Sequence, residues 1–129
     1  MNETLKTYVM AQIRFMDLDI WKEAIALNDP LFDLADAMGY AKSYRVAEQL
    51  RAASLSISNN IAEGSGSFSS KDFTTFLTIA RQSVLETANI SFVAYRRKFI
   101  DEKKLNQLLT DFEILSKKNN QFQKDNLKN

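Results

Sequence analysis

The sequence predicts an all-α protein, an antiparallel up-down-up-down bundle of four helices. Its 129 residues contain only three glycines and one proline, so the segments between helix breakers are long. Apolar residues recur at three- and four-residue spacing along these segments, which is the pattern of amphipathic helices. No alternation typical of strands competes with it, and short turns between helices favour antiparallel neighbours. A chain of this length forms one domain and buries roughly two-thirds of its unfolded surface.

The composition indicates a globular protein, with 45% hydrophobic and 26% charged residues. No apolar run approaches the roughly 18 residues that a membrane helix needs, so we expect no membrane partner. The N-terminal sequence MNETLKTYVMAQIRF lacks the basic start, apolar block and cleavage site of an export signal. The chain has no cysteine and therefore no disulfide framework, so we expect a cytoplasmic protein.

The absence of histidine and cysteine excludes several classes of chemistry. The chain cannot form a Ser/His/Asp or Cys/His nucleophile pair, a zinc site of the usual ligands, or a Glu-x-x-His di-iron motif. Its carboxylates fall mostly where solvated helix faces are expected, whereas catalytic carboxylate pairs need an apolar pocket. We therefore expect a protein that is not an enzyme and that has no cofactor and no metal site.

The first helix is predicted from Asp17 to Met38. Pro30 lies inside it, so we expect a kink or a short break at residues 28–30, and Gly39 is expected to end the helix. Residues 1–14 are expected to be an N-terminal extension outside the bundle, which takes residues 15–118. The predicted apolar stripe consists of Leu18, Trp21, Ala24, Ile25, Leu27, Leu31, Leu34 and Ala35.

The second helix is predicted from Ser43 to Glu63, and its flanks carry unusually small residues. Small side chains let neighbouring backbones approach closely, either in a central helix of one bundle or in a helix that also forms a subunit interface. We slightly favour the interface. The core stripe is Val46, Leu50, Ala53, Ile57 and Ile61, and the small flanking residues are Ala47, Ala52, Ser54, Ser56, Ser58 and Ala62.

The third helix is predicted to begin after Ser69 and Ser70, where Ser69 and Asp72 resemble a capping box. More than half of its circumference is apolar, so it must be covered on two sides. This favours an obligate homo-oligomer. The apolar residues are Phe73, Phe76, Leu77, Ile79, Ala80, Val84, Leu85, Ala88, Ile90, Phe92, Val93 and Tyr95.

The fourth helix is predicted to follow a turn at residues 100–102. Its inward-facing residues are Leu105, Leu108, Phe112, Leu115 and Phe122. The chain becomes polar from Lys117 onward, so we expect the helix to fray there and residues 119–129 to form a polar C-terminal tail.

The segment NNIAEGSGSFSSKDF, residues 59–73, is polar and rich in glycine. We interpret it as a structural corner in which Glu63 pairs with Arg81, Gly64 takes the left-handed C-cap conformation, and the Asn60 amide satisfies open backbone groups. A second interpretation is an anion or phosphate site, because the next helix offers free N–H groups at its start.

The runs LRAASLSISNNIAEGSG and KDFTTFLTIARQS, together with the earlier FMDLDIW, resemble the four-helix-bundle proteins encoded in intervening sequences of bacterial 23S ribosomal RNA genes. This family includes the accessory protein of diversity-generating retroelements. The resemblance spans roughly residues 15–115. It implies a left-handed bundle that assembles as a ring-shaped homopentamer without catalytic activity. For the retroelement branch it also implies binding of nucleic acid and a reverse transcriptase partner. The matching positions are Leu50, Arg51, Ala53, Ser56, Ile57, 60–64, Phe73, Phe76, Leu77, 79–81, Ser83 and Glu86.

The sequence departs from this family at several positions. Ser67 and Phe68 stand where the family usually carries arginines, which weakens the prediction of nucleic-acid binding there. Further departures are Gln82 at a common glycine, Ala88 at a common acid, and Thr74 and Thr78 at positions that are often basic.

The charge is unevenly distributed along the chain. Residues 1–39 hold three bases and seven acids, whereas residues 40–129 hold fourteen bases and nine acids, which gives the overall +1. We predict a nucleic-acid contact where the start of the second helix meets the end of the third, since antiparallel neighbours bring those ends together. It would bind phosphates without reading bases. The candidate residues are Lys42, Arg45, Arg51, Arg96, Arg97 and Lys98.

Two functions remain open from the sequence. The first is an oligomeric accessory protein that binds RNA or DNA, linked to rRNA intervening sequences or similar elements. The second is an oligomeric scaffold that binds only protein, in which case these basic residues form a solvated face.

Overall fold

The computed structural model describes residues 15–128, which form four α-helices after a short 3-10 turn at Phe15–Asp17. No strand occurs in this part of the chain. The predicted all-α fold with four helices is confirmed, and the predicted N-terminal extension, residues 1–14, lies outside the described residues. The helices are α1 (Asp19–Tyr40), α2 (Tyr44–Ser65), α3 (Ser70–Arg96) and α4 (Glu102–Lys128).

Contacts between neighbouring helices establish their directions. Asn126 Nδ2 donates to Ser70 O at 3.1 Å, and Asn119 Nδ2 donates to Leu77 O at 3.1 Å. Seven residues forward along α3 therefore correspond to seven residues back along α4. The same reversed order holds for α1 with α2 (Asn28–Ser54, then Asp36–Arg51) and for α2 with α3 (Ser56–Ser83, then Gly64–Phe73). Consecutive helices are antiparallel, so connections 41–43 and 97–101 lie at one end of the bundle and connection 66–69 lies at the other.

The core contains aliphatic residues from all four helices, as the apolar spacing predicts. Six of the apolar residues predicted from this spacing are exceptions, because their side chains are exposed: Ile25 of α1, and Ile79, Leu85, Phe92, Val93 and Tyr95 of α3. The buried residues include Leu27, Leu31, Leu34, Leu50, Ile57, Ile61, Leu77, Ala80, Val84, Leu105, Leu108, Phe112 and Leu115. None of the helices described is long and apolar enough to cross a membrane.

The small residues of α2 are divided between core and surface. Ala47, Ser54 and Ser58 are buried within the single bundle, and Ala52 is exposed. Ser54 Oγ donates to Asn28 Oδ1 at 2.6 Å, so a buried hydrogen bond joins α2 to α1. Close packing inside one bundle accounts for these buried positions without a subunit interface.

α1 differs from the prediction in its middle and at its end. The helix continues through Pro30, so the predicted break is wrong. Gly39 lies within the last turn and does not end the helix. The chain instead reverses at Lys42, whose φ of 66° is left-handed, and Ser43 N donates back to Met38 O at 2.9 Å. Such a φ is uncommon for residues with a Cβ.

The end of α3 repeats this geometry. Lys98 has a φ of 67°, and Phe99 N donates to Ala94 O at 2.9 Å. Both turns at this end of the bundle therefore place a lysine at the point where the chain reverses.

The beginning of α3 agrees with the prediction. Ser69 is the N-cap residue, and its Oγ accepts a hydrogen bond from Asp72 N at 3.1 Å.

The end of α4 contradicts the predicted fraying. The helix continues past the expected boundary at residue 118 to Lys128. Its amide side chains bind the backbone of α3, with Asn119 buried and Gln123 Nε2 donating to Thr74 O at 3.3 Å. The Phe122 ring packs edge-on against Phe73, with centroids 5.2 Å apart. The polar residues of this segment join two helices and do not form a tail.

Candidate nucleic-acid interface

The two groups of predicted basic residues lie at the same end of the bundle. Lys42 and Arg45 belong to the α1–α2 connection and the first turn of α2, whereas Arg96, Arg97 and Lys98 follow from the end of α3 into the next connection. All five are exposed. We call these five residues the basic end.

Arg51, the sixth predicted residue, is engaged elsewhere. Its guanidinium binds Asp36 Oδ1 and Glu48 Oε1, each at 2.8 Å. The hydrogen bond that Arg51 donates to Asp36 is the largest cause of a pKa of Arg51 raised above its ordinary value. Two carboxylates already neutralise this cation, so Arg51 is a poorer phosphate ligand than the basic end.

The two ends of the bundle differ in charge. Residues 36–51 and 92–106, which surround the basic end, hold eight bases and four acids, a net of +4. Residues 15–23, 60–76 and 116–127, at the opposite end, hold five bases and six acids, a net of −1. A polyanion is therefore attracted to one end of the bundle despite the small overall charge.

The predicted ion pair at the structural corner is wrong. Glu63 and Arg81 are both exposed, and no ion pair joins them. Ser83 faces α2, because its Oγ lies 2.7 Å from Ser56 Oγ. Arg81 is two residues away, about 200° around the helix, and so points away from α2.

Gly64 has a different role from the predicted C-cap. It is buried inside α2, and none of the glycines described has a positive φ. A Cβ at this position would lie 2.7 Å from Phe73 Cδ1 and 2.8 Å from Phe76 Cβ. Real Cβ atoms essentially never make contacts this short. Gly64 is therefore required because α2 and α3 approach each other closely there.

The Asn60 amide does not bind open backbone groups at the helix end, which the sequence predicts, but binds one residue within α2. Its Nδ2 donates to Ser56 O at 2.7 Å and to Ser56 Oγ at 3.0 Å, and Ser56 in turn contacts Ser83 of α3. The amide fixes the Ser56 hydroxyl that meets α3.

The start of α3 is poorly suited to the anion site considered as a second interpretation. One of the free N–H groups of the first turn, that of Asp72, already donates a hydrogen bond to the Ser69 hydroxyl. Asp72 also adds a negative charge to the first turn, which repels an anion.

Two exposed aromatic residues lie beside the basic end, and the sequence analysis does not predict a role for them. Tyr40 is 90% exposed and Tyr44 is 64% exposed, and they flank the turn that contains Lys42. A shallow groove there is lined by Asp36, Gly39, Tyr40, Lys42, Tyr44 and Arg51. The signal in the sequence is the run YAKSY, in which both aromatics lie outside the apolar stripes of α1 and α2.

Comparison with known proteins agrees with this fold. No curated protein matches the sequence. The family model described as 23S rRNA-intervening sequence protein matches residues 16–121, which include α1, α2, α3 and most of α4. The chain therefore belongs to the family of 23S rRNA-intervening sequence proteins.

Proposed function

We propose that this protein is a non-enzymatic, homo-oligomeric accessory protein that binds RNA or DNA through its basic end. The observation that carries the proposal is the grouping of five exposed cations at one end of the bundle, in surroundings with a net charge of +4. Membership of a family named after an rRNA intervening sequence supports an association with such genes or similar elements.

The five cations can bind phosphates without first breaking contacts of their own. None of them forms an ion pair with another residue of the part of the chain described. Exposed lysines and arginines contact the nucleic-acid backbone and leave base edges unread, so binding is tolerant of sequence. Each phosphate that is neutralised releases counterions, so binding weakens as the salt concentration rises.

The proposal includes a homopentamer in the cytoplasm. Five large apolar side chains of α3 are exposed in the single chain, with Leu85 the most exposed at 65%. Such surfaces favour protein–protein contact, and the resemblance noted above supplies the number five. A ring of subunits multiplies the basic end and strengthens binding to a long polyanion by multivalency.

The oligomer predicts a mass well above that of one chain. A pentamer of 14.8 kDa chains has five times that mass, or 74 kDa. Static light scattering after size exclusion, at micromolar protein concentration, measures it directly. A monomer mass across that concentration range contradicts the proposed assembly.

The proposed binding is tested with RNA of mixed sequence. We expect the parent protein to bind at low salt and to lose affinity steeply at moderate salt, as measured by fluorescence anisotropy. With four phosphate contacts, for example, the logarithm of affinity falls about 2.8 to 3.6 per tenfold rise in salt. Absence of binding even at low salt contradicts the proposed function.

That negative result would favour the second function, an oligomeric scaffold for a protein partner. The exposed apolar residues of α3 are the observation behind it, because they offer a binding surface that needs no nucleic acid. A reverse transcriptase is the partner that the resemblance implies.

A further inference from the structure

We propose that the basic end selects single-stranded nucleic acid over duplex, because Tyr40 and Tyr44 form a platform on which unpaired bases stack. This inference rests on the proposed function and adds the class of ligand. The two rings are among the most exposed large side chains described. Burying a ring of this size is favourable, so the fold has left a substantial apolar area open to solvent there.

The turn that carries these rings is held in place by hydrogen bonds. Tyr40 is the last residue of α1 and Tyr44 is the first of α2. Between them, Lys42 N donates to Gly39 O and Ser43 N donates to Met38 O, each at 2.9 Å. The rings thus project from a fixed backbone, and little backbone conformational entropy is lost when they bind a ligand.

A residue that can bind phosphate lies beside the two tyrosine rings. Lys42 separates the two tyrosines in sequence and lines the same groove. Arg51 at that groove is held by Asp36 and Glu48, so Lys42 is the cation free to meet a phosphate there. An aromatic face next to an exposed cation matches one nucleotide of a single strand, with the base on the ring and the phosphate on the lysine.

The connection between α3 and α4 also places aromatic rings beside cations. A second open groove is lined by Tyr95 and Phe99 together with Arg96 and Lys98, and the acidic residues 101–102 also line it. Tyr95 is exposed and Phe99 is half-buried. Aromatic rings interleaved with cations therefore continue across the end of the bundle, as a strand spanning several nucleotides requires.

The preference for single strands follows from the surfaces that single-stranded and duplex nucleic acids expose. A duplex hides the faces of its bases in the stack and presents phosphates, sugars and base edges, so the tyrosines find no base face on which to stack along it. A single strand exposes the base faces, and stacking a base on an aromatic side chain is worth about 1–3 kcal/mol. The strand preference must therefore disappear when the two rings are removed.

The experiment compares a 20-nucleotide RNA without self-complementarity with the duplex of the same sequence, and repeats both as DNA. The parent is expected to bind the single strands more tightly. Tyr40→Ala with Tyr44→Ala should weaken single-strand binding by about tenfold or more, since about 1.4 kcal/mol corresponds to tenfold, and should leave duplex binding unchanged. Tyr40→Phe with Tyr44→Phe keeps both rings and should bind as the parent does.

Phe68→Ala is the matched control. Phe68 is fully exposed, but it lies in the connection at the opposite end of the bundle, so its removal should change neither affinity. If the parent binds single strands and duplexes equally well, the inference is overturned and the proposed function stands. If the parent binds neither, both are overturned.

Two further results would also overturn the platform. If the double phenylalanine variant loses as much affinity as the double alanine variant, the hydroxyl groups are responsible and stacking is not. If the double alanine variant loses its oligomeric mass, the tyrosines are contacts between subunits.

Discussion

Replacing Gly64 with alanine should destabilise the protein by about 1–3 kcal/mol, the usual cost of overpacking a core. The added methyl group would lie 2.8 Å from Phe76 Cβ. That atom is attached directly to the backbone of α3 and cannot move away by rotation of a side chain. The two helices must therefore separate, or α2 must shift along α3.

Gly39→Ala is the control for this effect. Gly39 is also helical, but the nearest atom to an added Cβ is the end of the flexible Arg51 side chain at 3.9 Å, an ordinary contact. Alanine is favoured over glycine in a helix by about 0.8–1 kcal/mol, so this variant should be more stable than the parent. Urea unfolding at matched protein concentration measures both, since the stability of the proposed oligomer would depend on concentration. If Gly64→Ala is stabilised as Gly39→Ala is, the close approach of α2 and α3 is wrong.

The helices and the core could be predicted because both depend on local spacing. The stripe of Leu50, Ile57 and Ile61 is buried in α2 as its three- and four-residue periodicity indicates. The Ser69 cap could be predicted for the same reason, since its hydrogen bond to Asp72 N spans only three residues.

Contacts between helices could not be predicted, because they depend on how each helix is rotated about its axis. The sequence predicts that Glu63 and Arg81 lie near the same turn, but it does not predict the direction in which each side chain points from its helix. The Ser56–Ser83 contact sets the rotation of α3 and turns Arg81 away from α2. Gly64 was misread for a related reason: the need for a small residue comes from the side chain of Phe73 on another helix.

Polar residues also gave a misleading signal at the end of the chain. Asn119, Gln123 and Asn126 resemble a solvated tail by composition, yet all three donate to backbone oxygens of α3. They are spaced by three or four residues, which places them on one helix face. That spacing was the available signal, and hydrophobicity alone does not reveal it.

The second large effect concerns the basic end. Reversing Arg96 and Arg97 to glutamate should lower the affinity for RNA of every sequence alike. Each phosphate contact contributes a factor of salt concentration to the power of about −0.7 for single strands and −0.9 for duplexes, so the loss of two contacts lowers the affinity roughly 25- to 60-fold at 0.1 M salt. Both side chains are exposed, and neither forms an ion pair within the described chain. The substitutions should therefore leave the fold and the oligomeric mass unchanged.

Lys71→Glu with Lys124→Glu is the matched control for this charge reversal. Both lysines are exposed. Lys71 lies in the first turn of α3 and Lys124 near the end of α4, so both are at the end of the bundle opposite the basic end. The net charge changes by the same amount in the two double variants, and only the location differs.

The measurement that tests the central claim most directly is the affinity for mixed-sequence RNA as a function of salt, for the parent and both double variants. We expect the parent and the Lys71/Lys124 variant to lose affinity with the same steep slope. The Arg96/Arg97 variant should bind more weakly at every salt concentration, with a slope shallower by about 1.4 to 1.8, or 0.7 to 0.9 for each of two lost contacts. If the Arg96/Arg97 variant instead matches the parent in affinity and slope, the basic end is only a solvated face and the scaffold function replaces nucleic-acid binding.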